Sequence, residues 1–449
     1  MVSPHLRRAA SWLLLAFVGT CLFIRFSSKG VLTATPLSFQ VATAESVPRE
    51  LYVVFWKTLL GAMMRTAPDF VTLEAPPQPD DKLILYPALS SEDSRLDNIQ
   101  VSSDDFRSLQ QSHAEFVGLL PQIAPLLPFD ERPRGIVMTT HGNSIGVAMT
   151  SILMLRRTGS VLPVQLFLNS KAEYDPSLCD DTLRKLGAEC LVMEKLWKTT
   201  PDMPMLKGYQ FKIFSILFST FQQVLFLDAD CWPLANPNSL FDSEPYKSVI
   251  MFDKTKHATT LILSAYYNFH GPEVYYSLFS QSAPGQGDKE TFLHAALALQ
   301  NPFYDVGTHV GTLGRWLNGS FESAAMIQAD PTADYELRRG RKKLKGPVGN
   351  TGKGDQHADE IHAKPLFIHH NTIKINIYKL AECLEHLCRK DERGEYKRLW
   401  NNGDALVQSF GYDAERCLWD LIIKTRCRGS TSQALECHRF RDYYKAVFE

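Results

Sequence analysis

The chain has 449 residues, enough for one large or two ordinary domains. Apolar residues make up 45% and charged residues 22%, which excludes a disordered, collagenous or coiled-coil chain. Lys plus Arg (48) nearly balances Asp plus Glu (49), so no global basic field is available to hold nucleic acid through its phosphates. A mean hydropathy of −0.16 excludes a polytopic membrane protein.

One hydrophobic segment stands out, from Ala9 to Ile24, with Arg7 and Arg8 before it and Arg25 and Lys29 after it. It lies at the short end of what a membrane span needs, and a snorkelling Arg25 extends it to Phe26. A cleavable signal peptide requires a small-x-small site just after the apolar core. Phe26-Ser27-Ser28-Lys29 offers none. The expectation is an uncleaved anchor over 9–26, behind a short cytosolic tail at 1–8 and before a stem at 27–50. The flanking charges set the orientation only weakly, and the soluble remainder is placed in the lumen. Asn318-Gly319-Ser320 is a glycosylation sequon and makes Asn318 its acceptor. Of the cysteines beyond Cys21, five (Cys383, Cys388, Cys417, Cys427 and Cys437) crowd the C-terminal end without zinc spacing. A lumenal disulfide cluster suits them better than free thiols.

Residues 51–133 read as an N-terminal extension, with an apolar helix over 51–64 and a Pro- and Asp-rich loop over 74–98. Ser103-Asp104-Asp105 caps a helix running to Leu120, and Pro121, Pro125, Pro128 and Pro133 mark a boundary. From Arg134 strands and helices alternate. Strands are expected at 135–140, 164–168, 190–193 and 223–227, and helices at 144–157, 176–186 and 207–221. That rhythm implies an α/β fold, a mostly parallel sheet covered on both faces, with ligands beyond the carboxyl ends of its strands. A helix over 255–268 and a strand over 365–369 follow, and the final 60 residues read as helical.

The sharpest motif is Leu225-Phe226-Leu227-Asp228-Ala229-Asp230. Alternation along a strand puts both carboxylates on one side, where two of them make a hard-cation site for Mn²⁺ or Mg²⁺ completed by a diphosphate. The plainer role is a strand cap or the start of a turn at Pro233. A haloacid dehalogenase-type phosphatase carries its Asp pair near the first strand; here the pair follows three earlier strands and continues Cys231-Trp232. In Phe367-Ile368-His369-His370-Asn371 either His369 or His370 can add an imidazole ligand, since neighbouring strand residues face opposite ways. Lys374 can neutralise a leaving diphosphate. In Gly287-Asp288-Lys289-Glu290-Thr291-Phe292, Asp288 is the N-cap of a helix, with Thr291 at its third position, or else Asp288 or Glu290 binds sugar hydroxyls near the reacting carbon. The run Arg338–Lys345 reads as a solvated basic loop.

Taken together, residues 134–379 resemble the fungal Golgi α-mannosyltransferases of glycosyltransferase family 71, type II membrane enzymes with a GT-A fold. The resemblance rests on Gly135-Ile136-Val137, on Phe211-Lys212-Ile213-Phe214-Ser215 leading to Asp230, and on Asp253-Lys254 with His257. Tyr266-Tyr267-Asn268, Gly287–Phe292, Gln328-Ala329-Asp330-Pro331 and His369-His370-Asn371 continue it. It implies a Rossmann-like GT-A domain over 134–380 with helical extensions on either side, the C-terminal one (381–449) holding the cysteines. It implies a metal-dependent, retaining transfer of mannose from GDP-mannose to an α-mannoside of glycoprotein glycans or cell-wall mannan, in α-1,2 or α-1,3 linkage. Asp228 and Asp230, with His369 or His370, would hold Mn²⁺. Thr139, Thr140, His141, Lys212, Asp228 and Lys374 would meet the donor, and Asp288, Lys289 and Glu290 would stand at the reacting sugar. Asp253, Lys254 and His257 would form the acceptor side. The implied partners are donor, glycan acceptor, Golgi membrane and other mannosyltransferases in a complex, with no nucleic acid.

The chain departs from the family's pattern in one place. Asp230 and Asp253 are only 23 positions apart, where similar proteins have a longer segment that helps build the acceptor side. The shortened segment favours one alternative, a catalytically silent glycan-binding paralogue; a related enzyme using a UDP-sugar is a second, independent one.

Overall fold

The computed structural model describes residues 49–69, 73, 99–131, 133–201, 203–243, 251–281, 287–340, 363–400, 403–428 and 435–449. The expected anchor at 9–26, the 74–98 loop and most of the basic run lie outside them. In chain order the strands are β1 (Arg134–Thr140), β2 (Val164–Leu168), β3 (Ala188–Val192), β4 (Gln223–Phe226), β5 (Cys231–Pro233), β6 (Met251–Asp253), β7 (Gly311–Leu317), β8 (Ser320–Ala329) and β9 (Pro365–His369). The helices used below are α1 (Arg49–Arg65), α2 (Ser103–Ile123), α3 (Ile145–Arg157), α4 (Phe211–Phe218), α5 (Lys254–Phe269), α6 (Glu290–Ala298), α7 (Pro331–Arg338), α8 (Leu380–Leu387), α9 (Gly403–Phe410), α10 (Ala414–Arg426) and α11 (Leu435–Phe448).

The first sheet runs β3-β2-β1-β4-β6, with every pair parallel except β4–β6. Strand alternation divides its side chains between two cores. Ile136 and Met138 of β1 and Leu225 of β4 pack with Ile145, Ala148, Met149 and Ile152 of α3. Val137, Val224 and Phe226 point the other way, to Ile213, Phe214 and Leu217 of α4, Trp56 of α1 and Phe116 of α2. Both faces are therefore covered, as the near-continuous apolar strands required. Phe214 is fully buried, with Trp56 edge-on to it at 5.7 Å. Truncating it to alanine would cost roughly 3–5 kcal/mol. Helices α1 and α2 thus share a core with the sheet.

Local boundaries shift for identifiable reasons. Ser102, not Ser103, caps α2: its hydroxyl accepts from the Asp105 N–H at 3.1 Å. The helix passes through Pro121 to Ile123, so that proline lies in its last turn and marks no boundary. The helix expected at 176–186 is a wide-turned segment, Ser177–Leu183, tied to β3 by the Cys179–Cys190 disulfide.

A second, fully antiparallel sheet of order β5-β9-β8-β7 stands apart from the single sheet the sequence suggested. Its β7–β8 hairpin turns on Asn318 and Gly319, whose φ angles of 51° and 83° are what a tight Asn-Gly turn needs. Behind this sheet lies a third core, in which Trp232 and Ile368 meet Trp400, Trp419, Phe440 and Tyr443 of the C-terminal segment. Buried Arg315 of β7 donates to the Leu387 carbonyl at 2.9 Å and pairs with Glu322 at 3.1 Å, pinning the sheet to α8. In the C-terminal cluster Cys427 pairs with Cys437.

Candidate functional site

The site begins where β4 stops. Leu227 still bonds to β1 through the Val137 carbonyl (3.0 Å), and the chain then turns, with the Cys231 N–H closing onto the Asp228 carbonyl at 3.0 Å. Asp228 and Asp230 therefore flank a turn rather than alternate along a strand. Two more bonds hold that turn. The Ser151 hydroxyl of α3 donates to the Ala229 carbonyl at 2.6 Å, and the His370 N–H donates to the Asp230 carbonyl at 2.8 Å. Ser151 was not legible as a site residue, because nothing in its surrounding helix marks it.

The second sheet supplies the imidazole. β5 and β9 pair with Cys231 opposite His369, so a tight turn after Asp230 brings His369 alongside the acidic pair. Its Nε2 lies 3.0 Å from Asp230 Oδ1 and 3.9 Å from Asp228 Oδ2. His370 faces the opposite way and corrects the paired expectation. It is fully buried, stacked on Trp232 at 4.7 Å, and its Nδ1 donates to the Ile373 carbonyl at 3.1 Å. The two histidines thus divide as adjacent strand residues must.

Three ammonium groups converge on the same carboxylates. Lys212, from the first turn of α4, lies 3.1 Å from Asp228 Oδ1 and 3.0 Å from Asp288 Oδ2. Lys289 lies 3.0 Å from Asp228 Oδ2, and Lys374 pairs with Asp230. Asp288 and Lys289 can enter the site because Gly287 precedes them with φ +76°, a conformation costly to any residue with a Cβ. Asp288 is not an N-cap: its carboxylate turns to Lys212, and its carbonyl accepts the Thr291 hydroxyl at 2.5 Å. Burial alone would raise the Asp228 pKa, but Lys289, Lys212 and His369 outweigh it and hold the carboxyl well below the usual range. Burial also keeps His369 neutral, its pKa pushed down to about 4. Burial opposes the charge on Lys289, but its attraction to and hydrogen bond with Asp228, together with nearby Asp288, outweigh that and raise its pKa.

The other expected residues distribute unevenly. Thr139 and Thr140 end β1, parallel to and beside β4, and His141 follows them, exposed, with its Nε2 3.0 Å from the Ser144 hydroxyl. Asp253 and Lys254 do not line the site. Asp253 is the N-cap of α5, accepting from the Thr255 N–H at 3.1 Å, and Lys254 is fully buried, donating to the Leu217 and Ser219 carbonyls. His257 accepts the Asp253 N–H on Nδ1 at 3.1 Å and borders the cavity described next. Glu290 lies half-buried in the first turn of α6, outside that lining. Asn318 is exposed on its hairpin turn.

A cavity of about 380 Å³ opens against the cluster, with Asp228, Lys289 and His369 forming one wall. Phe292, Leu293 and Ala296 of α6 and the loop through Phe303, Val306 and Val310 form much of the rest. Among the described residues no three His, Cys, Asp or Glu side chains form a ready-made metal cage. Asp228, Asp230 and neutral His369 are the oxygen and imidazole donors present here, with Lys212, Lys289 and Lys374 paired to the two carboxylates.

The charged cluster lies beyond the carboxyl end of a strand of a mostly parallel sheet, the place where α/β proteins of doubly wound type bind their ligands. The family described as "Mannosyltransferase putative" matches residues 133–249 and 247–330. Alpha-1,2-mannosyltransferase MNN21 of Candida albicans is 27% identical over 72% of this chain and 61% of its own length. MNN2 of Saccharomyces cerevisiae is 27% identical over 68% and 66%, and MNN22 of Candida albicans is 28% identical over 66% and 63%. The chain is similar to this mannosyltransferase family over residues 133–330, and it spans just under two thirds of the length of these relatives. Among solved structures, the apo-form glycosyltransferase GlyE of Streptococcus pneumoniae TIGR4 superposes on 39% of this chain and 46% of its own, at 16% identity and a TM-score of 0.27, too low to carry an argument.

Proposed function

We propose that the protein is a retaining glycosyltransferase of GT-A type, moving mannose from GDP-mannose to an α-mannoside, in α-1,2 linkage like the activity its relatives are named for. The observation that carries this is the meeting of three carboxylates (Asp228, Asp230, Asp288) with three ammonium groups (Lys212, Lys289, Lys374) around a neutral imidazole. As it stands the cluster balances its own charge. A divalent cation on Asp228, Asp230 and His369 would free the lysines to face a diphosphate, and the sum would stay near neutral.

The metal would offset the charge that builds on the leaving diphosphate. Lys212 and Lys289 are placed to share that load, since each already touches Asp228 at about hydrogen-bond distance. Asp288, held by Lys212, would accept from hydroxyls of the bound sugar. Thr139, Thr140 and His141, at the end of the neighbouring strand, would contact the nucleotide.

We place the protein in the Golgi lumen behind an anchor at 9–26. The Cys179–Cys190 and Cys427–Cys437 disulfides support an oxidising compartment. Among the described residues no helix is long and apolar enough to cross a membrane.

One observation favours the silent-paralogue alternative. The family match falls in two pieces that meet at 247–249, inside the short segment between Asp230 and Asp253. Mannose transfer from GDP-mannose to short α-mannosides in the presence of Mn²⁺, beside an Asp230→Asn control, separates the two readings. Metal-dependent transfer lost in the control supports the enzyme. Donor binding without transfer supports the paralogue.

A further inference from the structure

We infer that the cavity beside Asp228 is a subsite for an apolar aglycone: it receives the hydrocarbon part of an acceptor glycoside whose sugar faces the donor held at the Asp228, Lys289 and His369 wall. This rests on the transferase reading for the sugar end, and on the lining itself for the apolar end.

The wall away from the cluster is apolar, through Phe252, Phe292, Leu293, Ala296, Val306 and Phe367. Most polar side chains that border it are already spent on the protein. Thr260 Oγ1 accepts from Asn301 at 2.8 Å, and His257 Nδ1 is taken by the Asp253 N–H. Tyr304 and Thr308 both donate their hydroxyls to buried Asp334 of α7. Beyond the cluster that leaves Asp305 and Gln328 as polar lining side chains. An oligosaccharide would bury many hydroxyls here with too few partners, each at a cost of about 1–3 kcal/mol. Its volume lies at the low end for small-molecule sites, room for one compact ligand segment and not for a glycan chain.

The chamber is also built, not a gap. Asp334 accepts the Gly307 N–H at 3.0 Å and the Thr308 N–H at 2.9 Å in addition to the two hydroxyls, so it fixes the loop that forms one wall. Phe303 and Val310, 43% and 45% exposed, carry the apolar lining outward to the surface. That is the profile of a mouth through which an acyl or alkyl chain enters.

The test uses the full-length chain in lipid nanodiscs, free of glycoside detergents, with methyl and octyl α-D-mannopyranoside as probes. Binding is read by ligand-observed NMR, transfer by product formation, and the donor site by protection against thermal unfolding with GDP-mannose and Mn²⁺. Octyl mannoside should bind at least about tenfold more tightly than methyl mannoside, as burial of two or more methylenes gives. Ala296→Phe and Val306→Phe, which fill the chamber from α6 and from the facing loop, should each erase that preference while leaving methyl mannoside binding and donor protection as they were. Equal binding of the two glycosides by protein that is protected by donor overturns the inference and leaves the transferase reading standing. An octyl preference that survives both fillings also overturns it, because the chain then binds elsewhere. An octyl preference erased by both, in protein with neither donor protection nor transfer, keeps the subsite and sinks the transferase reading instead.

Discussion

Two regions of this molecule bury carboxylates, and they satisfy them differently. Glu415 of α10 is fully buried and accepts from the Leu399 N–H at 2.8 Å, the Trp400 N–H at 3.1 Å, the Tyr443 hydroxyl at 3.1 Å and Arg398 Nε at 3.1 Å. Two of those donors are main chain, so the carboxylate is locked to the fold. Asp228 is held by lysine ammonium groups and has His369 nearby. A lysine on a four-carbon stem can leave; a backbone N–H cannot. The first region spends its charge on holding the C-terminal segment together, and the second keeps its charge available for exchange.

The largest effect should come from the exchangeable side. Asp228→Asn removes the group to which both Lys212 and Lys289 are drawn, and transfer measured as kcat/KM should fall by about 10²–10³-fold or more. Its folding stability should fall by less than that of the Glu415 variant below, since Lys212 keeps Asp288 and Lys289 keeps partial access to water. Urea unfolding alongside the assay checks both halves, and a large loss of stability would erase the contrast. Glu415→Ala should show the reverse. Stripping the partner from Arg398 and from two buried N–H groups should cost roughly 3–5 kcal/mol in the same unfolding measurement, while the folded fraction still binds donor. Replacing Cys427 and Cys437 together by serine sharpens the structural side further. The bridge closes a loop of separation 10 in that same segment, and losing it should cost about 2–3 kcal/mol.

What could be read from the sequence divides along similar lines. The parallel strands β1 to β3 were legible because each is a short apolar run followed by a helical period, and β2 falls at its expected residues, as does β9 taken as a lone strand. The second sheet was not. Gly311, Gly314 and buried Arg315 break the alternation in β7, and the burial of Arg315 depends on carbonyls of α8, far along the chain. At the site, Asp228 and Asp230 announced themselves through the apolar run before them. Which histidine joins them depended on the β5–β9 register, a pairing across 138 positions (Cys231 to His369) that no local pattern encodes. Asp253 and Lys254 misled because charged residues opening an apolar helix look alike whether they cap it or face a ligand. Lys254 is spent on two main-chain carbonyls near the end of α4.

The smallest expected effect tests the structural side through pH. His270, after α5, has its Nε2 3.1 Å from the Met63 carbonyl of α1, and burial pushes its pKa from 6.5 down to about 4. In the native protein the ring therefore stays neutral over a range in which the unfolded chain takes up a proton. The unfolded state binds more protons between pH 6.5 and 4, so stability from this group is present above pH 6.5 and is lost as pH falls through that window. From pH 6.5 to 5 the loss should be about 1–1.5 kcal/mol. His369 and His370 are depressed for the same reason of burial and add to the slope in the parent chain, so the informative quantity is a difference. His270→Phe keeps the packing against Tyr266 at 4.9 Å and removes the titration, and its stability should fall less steeply on acidification than the parent's by that amount. Urea midpoints at pH 6.5 and pH 5 for both proteins give the number. Equal slopes would mean that the ring between α1 and α5 takes up its proton without unfolding, and that this joint exchanges charge as readily as the cluster around Asp228.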